Sequence, residues 1–149
     1  MTLKIGDKAP EINSKDQDGN EISLSQFKGK KIALYFYPKD DTPGCTAQAC
    51  SLRDNEIALK AAGYQVIGVS IDGEKAHKKF IEKYSLPFPL IADIDKKVVS
   101  DYGVWVEKSM YGKKYMGTAR TTFIIDENCL IAKIIDKVDT KEHANQILS

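Results

Sequence analysis

A mixed α/β fold is predicted, on three observations. Two dense β-branched and aromatic runs, KIALYFYP at 31–38 and YQVIGVSID at 64–72, are too continuous for strands with one wet face. Each is followed by strong helix formers, giving strand–helix–strand–helix. Residues 121–125 and 130–135 are short apolar runs separated by a turn, which is a hairpin pattern, and a last helix follows them. The first half therefore needs a parallel crossover, and the last part is antiparallel.

The elements follow in order. The first thirty residues read as short extended pieces around Gln17-Asp18-Gly19-Asn20, whose Asp-Gly pair is a hairpin signal. Residues 25–29 read as a turn or single helical turn. Pro38 stops the first buried strand. A helix is expected over 47–62, closed by Gly63 as a left-handed cap. The lysine-rich segment 74–84 reads as a helix with Ala76, Phe80, Ile81 and Tyr84 near one face and His77 on its solvated face. Pro87-Phe88-Pro89 breaks it. A short extended piece at 90–92 and a short helix at 96–102 come next. Residues 104–117, aromatic and glycine-bearing, read as loop, and 140–148 as the closing helix. This order fits a thioredoxin-like fold: a mixed central sheet, helices on both faces, an N-terminal β-hairpin extension, and one domain over residues 1–149.

Composition narrows the function classes. With 149 residues, 42% hydrophobic and 29% charged, the chain has the balance of a soluble globular domain. A formal charge of +1 gives no electrostatic footprint for nucleic acid or an anionic membrane. No apolar run approaches the length of a membrane span, and MTLKIGDKAPEI has no apolar leader core, so a cytoplasmic location is expected. Three cysteines do not form a secreted disulfide framework. In a reducing compartment they point to catalysis, metal binding or simple burial.

Two of those cysteines lie in YPKDDTPGCTAQAC, residues 37–50. Thr42 suits a helix N-cap and Pro43 the first helical position. Cys45 then falls in the first turn, where unpaired amides and the helix dipole stabilise a thiolate. The thiolate is the nucleophile, so Cys45 is the candidate reactive residue. The other reading is a buried, inert cysteine beside an ordinary cap. Cys50 follows five residues later. In one intact helix their Cα atoms are roughly 8.7 Å apart. A disulfide needs them within about 7 Å. Either the two thiols are unrelated, or the first turns must unwind for them to meet. A metal is poorly served, because no second thiol pair is present and His77 and His143 lie far off in sequence.

Pro38, Thr42 and Cys45 form P-x-x-x-T-x-x-C, which resembles the active-site signature of the peroxiredoxins. The string YPKDDTPGCTAQACSLRDN resembles their bacterioferritin comigratory protein (peroxiredoxin Q) branch. So do APEINSKDQDGNEISLSQFKGK, GVWVEKSMYGKKYMGTARTTFIID and IIDKVDTKEH, which together cover nearly the whole chain. The resemblance implies a thiol peroxidase for hydrogen peroxide and organic hydroperoxides. It makes Cys45 the peroxidatic cysteine, oxidised to a sulfenic acid, and Cys50 the resolving one, within the same chain. Thr42 would hydrogen-bond the thiolate or the peroxide, and Pro38 would shield the thiolate. Arg120 would keep Cys45 ionised and help bind peroxide; an ion-pair partner at the surface is its other reading. The resemblance implies no metal or organic cofactor, a thioredoxin-like dithiol as reductant, and a monomer, since members of this branch are often monomeric.

Two positions depart from the branch pattern, Cys129 and Val106, where glycine is usual. A cysteine at positive φ is costly, so Asn128 is expected to take the left-handed position. Asp40, Asp41, Asp93 and Asp95 read as turn and cap residues, lacking a calcium-loop pattern. A redox sensor, in which the same disulfide switches a local helix, is the rival function class. A thioredoxin-like dithiol oxidoreductase is disfavoured by the absence of C-x-x-C.

Overall fold

The computed structural model describes residues 3–149. β1 (Asn13–Lys15) and β2 (Glu21–Ser23) pair antiparallel across the Asp-Gly turn as a separate hairpin. A 3₁₀ turn, Leu24–Phe27, leads into β3 (Lys31–Phe36). α1 (Pro43–Asp54) and α2 (Glu56–Ala61) follow, then β4 (Tyr64–Ser70) and α3 (Glu74–Tyr84). β5 (Leu90–Ala92), α4 (Lys97–Asp101), β6 (Trp105–Met110) and β7 (Lys113–Thr118) come next. β8 (Thr121–Ile125), β9 (Ile131–Ile135) and α5 (His143–Leu148) complete the chain.

The central sheet has the order β5-β4-β3-β8-β9. β3, β4 and β5 run parallel, whereas β8 is antiparallel to β3 and to β9. This is the predicted mixed sheet. Alternate β3 residues feed two cores. Ile32, Leu34 and Phe36 pack with Ile12, Leu24, Val98, Val99, Tyr102 and Phe123 on one face, under α4 and the N-terminal segment. Ala33 and Tyr35 pack with Cys45, Ala49, Leu52, Leu59, Phe80 and Ile147 on the other, under α1, α2, α3 and α5. Cys45 thus belongs to a packed face and is held by apolar burial as well as by its helix.

Four expectations are corrected. The helix expected over 47–62 starts at Pro43, where the Thr42-Pro43 pattern put its first turn, but it does not run unbroken to 62: it is interrupted at Asn55. There the Asn55 side chain donates to the Ser51 carbonyl at 2.8 Å and competes with the backbone ladder. Residues 104–117 are not a loop but contain the β6–β7 hairpin. Its turn places Tyr111 at φ +52° and Gly112 at φ +79°, the two left-handed residues of a tight hairpin turn. Much of both strands faces solvent, so no alternation of polar and apolar residues announced them. His77 is fully buried rather than solvated. Its two ring nitrogens have partners inside, which removes the penalty that made burial look improbable from sequence. Finally, Cys129 itself takes the left-handed position, at φ +62°. Asp126 accepts the Asn128 and Leu130 amides through its carboxylate and the Cys129 amide through its carbonyl, fixing the turn in that register.

Candidate active site

Residues 37–42 connect the C-terminal end of β3 to the N-terminus of α1, and this is the place where the fold presents Cys45. Pro43 occupies the first turn, as its missing amide hydrogen allows. Thr42 flanks it in extended conformation, φ −97° and ψ 154°. Its hydroxyl does not cap α1; it donates to the Lys39 carbonyl at 2.9 Å and so tightens the turn below the helix. Pro38 is half-buried two residues after the end of β3. Cys45 is 1% exposed.

Arg120 meets Cys45 from the segment between β7 and β8. Its Nη2 donates to the sulfur at 3.4 Å, and its Nη1 donates to Gln48 Oε1 at 2.6 Å. Gln48 lies one turn after Cys45 on α1 and is fully buried, so it fixes the plane of the guanidinium. A planar fork held at one nitrogen leaves the other aimed at a single point. Gly44 makes room for it: a Cβ there would stand 3.2 Å from Arg120 Nη2. A positive group and the first turn of a helix both face the sulfur. Lys108 on β6 adds a second cation nearby. Burial holds its ammonium below the usual lysine range, and the Arg120 charge adds to this while Cys45 opposes it.

Cys50 is half-buried further along α1, and all three thiols are free. α1 runs unbroken through both positions. At roughly 8.7 Å between Cα atoms at this helical spacing, the two sulfurs cannot bond in this conformation. Cys129 sits in the β8–β9 turn, whose amide hydrogen-bonds tie it to Asp126 and Ala9 rather than to α1.

The structure therefore brings Cys45 and Arg120 together, with Thr42 and Pro38 in the supporting loop. Sequence reading missed Gln48, whose only signal was a polar residue one turn after the cysteine. It also misread Asp40, expected in an ordinary turn. Its carboxylate is instead buried and accepts the Tyr37 hydroxyl at 2.6 Å. Asp41 is the turn residue, at φ +57°, with its carboxylate taking Lys83 and Tyr84. Asp93 is a cap as expected, accepting the Val98 and Val99 amides.

Residues 5–134 match the model of the AhpC/TSA family. The Bcp peroxiredoxin of Bacillus subtilis is 45% identical over 148 residues, covering 99% of this chain and 94% of the relative. The fold superposes on a mutant of Xylella fastidiosa PrxQ with a TM-score of 0.93 at 29% identity, covering 99% of this chain and 94% of the other. Against peroxidoxin BcpB of Mycobacterium tuberculosis the TM-score is 0.87 at 31% identity, covering 99% and 95%.

Proposed function

The chain belongs to the AhpC/TSA family as a peroxiredoxin of the Bcp/PrxQ type, and from that premise we propose how its residues divide the work. It is a thiol-dependent peroxidase. Cys45 is the peroxidatic residue. Its thiolate attacks the terminal oxygen of a hydroperoxide, an S–O bond forms as the O–O bond breaks, Cys45 is left as a sulfenic acid, and the departing alkoxide or hydroxide takes a proton. The observation that carries this reading is the Arg120 guanidinium donating to the Cys45 sulfur at 3.4 Å. The same group meets the charge that develops on the departing oxygen.

Cys50 is the resolving residue. Its thiol attacks the sulfenic sulfur, water leaves, and a Cys45–Cys50 disulfide forms after the first turns of α1 open. The five-residue spacing of the two thiols demands that opening, and a helix N-terminus is where its cost is least. A dithiol of the thioredoxin type then reduces the disulfide by exchange. Hydrogen peroxide and small organic hydroperoxides are the proposed substrates. A published structure of the Xanthomonas campestris bacterioferritin comigratory protein concerns alkyl peroxide reduction by that relative, which supports the organic class. The test is Cys45→Ser. It abolishes peroxide turnover with the fold intact by circular dichroism, and unchanged turnover would sink the assignment.

A further inference from the structure

Beneath the loop that presents Cys45 lies a buried polar unit with no part in the chemistry above. Asp40 stands at the centre of residues 38–42. Its Oδ1 accepts the Tyr37 hydroxyl at 2.6 Å, and its Oδ2 lies 2.6 Å from His77 Nδ1. His77, fully buried on α3, places Nε2 2.8 Å from the Ile91 carbonyl of β5. The Asp40 amide donates to Asp72 Oδ2 at 2.8 Å, which also accepts the Ser70 hydroxyl at 2.8 Å. The unit thus ties the loop to the ends of β3 and β4, to α3 and to β5.

The hydrogens on its groups hold it together. The Ile91 carbonyl only accepts, so Nε2 carries a hydrogen. Burial, then Tyr35 and Asp40, push the Tyr37 phenol well above its ordinary value, so it keeps its hydrogen and donates to Asp40. Two bare acceptors do not approach to 2.6 Å, so one further hydrogen lies between Nδ1 and Oδ2. The side chains of Asp40, Asp72 and His77 place ligand atoms within 4.8 Å of one another, a spacing that also suits a cation. Each of those groups is already committed to a hydrogen-bond partner, and what they hold is the loop. A buried polar cluster of this kind is weak evidence for added stability. Its consequence is a fixed position for one stretch of backbone.

We propose that His77, acting through Asp40, is a positioning residue for Cys45: the pair locks residues 38–42 so that Thr42, Pro43 and the first turn of α1 hold the sulfur against Arg120. The inference rests on the peroxidatic reading of Cys45. Releasing the lock harms the step that needs a pre-set geometry, attack on peroxide. It does not harm the step that needs α1 to open, disulfide formation.

The experiment measures both steps in single turnover on the full chain, with rapid mixing, acid quench and mass spectrometry. Asp40→Ala and His77→Phe each remove the lock. Asp40→Asn restores it, since the new amide donates to a neutral Nδ1 while its oxygen accepts from Tyr37. The expected result is a second-order rate with hydrogen peroxide about tenfold or more lower in the two removal variants, no slowing of disulfide formation, and Asp40→Asn within about threefold of the unmodified protein. Removal variants that match the unmodified protein would overturn the proposal. So would both steps slowing together, or Asp40→Asn falling as far as Asp40→Ala. Should His77→Phe not fold, the two Asp40 variants carry the comparison alone. An unmodified chain whose Cys45 ignores peroxide breaks the peroxidatic reading instead, which separates the two failures.

Discussion

Arg120 and Cys45 stand 75 residues apart in the chain, yet a guanidinium nitrogen of one donates to the sulfur of the other at 3.4 Å. The pairing of β8 against β3 produces this meeting. β3 ends in the loop that starts α1, and β8 begins just after Arg120, so the antiparallel register Phe36↔Thr121 sets the two side by side. Gln48 then removes the remaining freedom of the guanidinium.

Arg120→Met is therefore expected to lower kcat/KM for hydrogen peroxide by about a hundredfold, the usual loss for one aimed charge-stabilising donor. Arg120→Lys recovers only part of it, because an ammonium cannot bond Gln48 and the sulfur in the same plane. Gln48→Ala falls between the unmodified protein and Arg120→Met, since it loosens the fork without removing the charge. Steady-state peroxide consumption with a saturating dithiol checks the order. A Gln48→Ala variant as slow as Arg120→Met would mean that Gln48 acts on more than Arg120.

Most of the sheet was legible, because buried parallel strands are written as unbroken apolar runs and 31–38 and 64–72 are such runs. Cys45 was legible through its neighbours, Thr42 and Pro43, which mark a helix start whatever surrounds it. The β6–β7 hairpin was not, since strands that face solvent over most of their length carry no periodic signal and only the Tyr111-Gly112 turn marked it. The Asp40–His77 pair was invisible for a different reason. Its partners are 37 residues apart, and nothing local distinguishes a buried histidine from a solvated one on a lysine-rich helix. Arg120 was named only through the family resemblance, and its bond to Gln48 depends on a long-range register that the assembled sheet supplies.

The two thiols on α1 make a chemical prediction. Fully reduced protein given one equivalent of hydrogen peroxide is expected to lose two hydrogens, mapped to Cys45–Cys50. Amide exchange in the first turns of α1 rises at the same time, because the disulfide is incompatible with the intact helix. Cys50→Ser stops the reaction one stage earlier, leaving an added oxygen on Cys45. Linkage of Cys45 to Cys129 would refute the resolving role of Cys50.

Cys129 holds φ +62° in the β8–β9 turn, a conformation in which its Cβ crowds the following carbonyl. Cys129→Gly relieves that crowding at the expense of a floppier unfolded chain. The expected net effect is a gain of about 0.5–1 kcal/mol in unfolding free energy, with peroxide turnover unchanged. Urea unfolding measures the first quantity. A loss of stability would show that the half-buried cysteine side chain contributes more through packing than its backbone costs.

His143 gives the fold a pH dependence whose sign follows from its partners. Nδ1 lies 2.8 Å from Gln146 Oε1, which only accepts, so Nδ1 carries the hydrogen. Nε2 is then left to accept from the Thr122 hydroxyl at 2.7 Å. The ring is neutral and fully buried. Burial holds its titration below the usual imidazole range and the Arg120 charge adds to this, while the bond to Gln146 opposes it. In the unfolded chain the ring titrates near about 6.5. Between that value and its lower folded one, the unfolded state binds more protons. The contribution of His143 is thus complete above about pH 6.5, and it is lost as the pH falls toward the folded value. Urea unfolding of the unmodified protein and His143→Gln, at several pH values from 8 to 5, isolates it, because the carboxylates common to both cancel in the difference. The stability advantage of the unmodified chain is expected to shrink on acidification. A difference that stays constant across that range would mean that His143 is not held neutral by its surroundings.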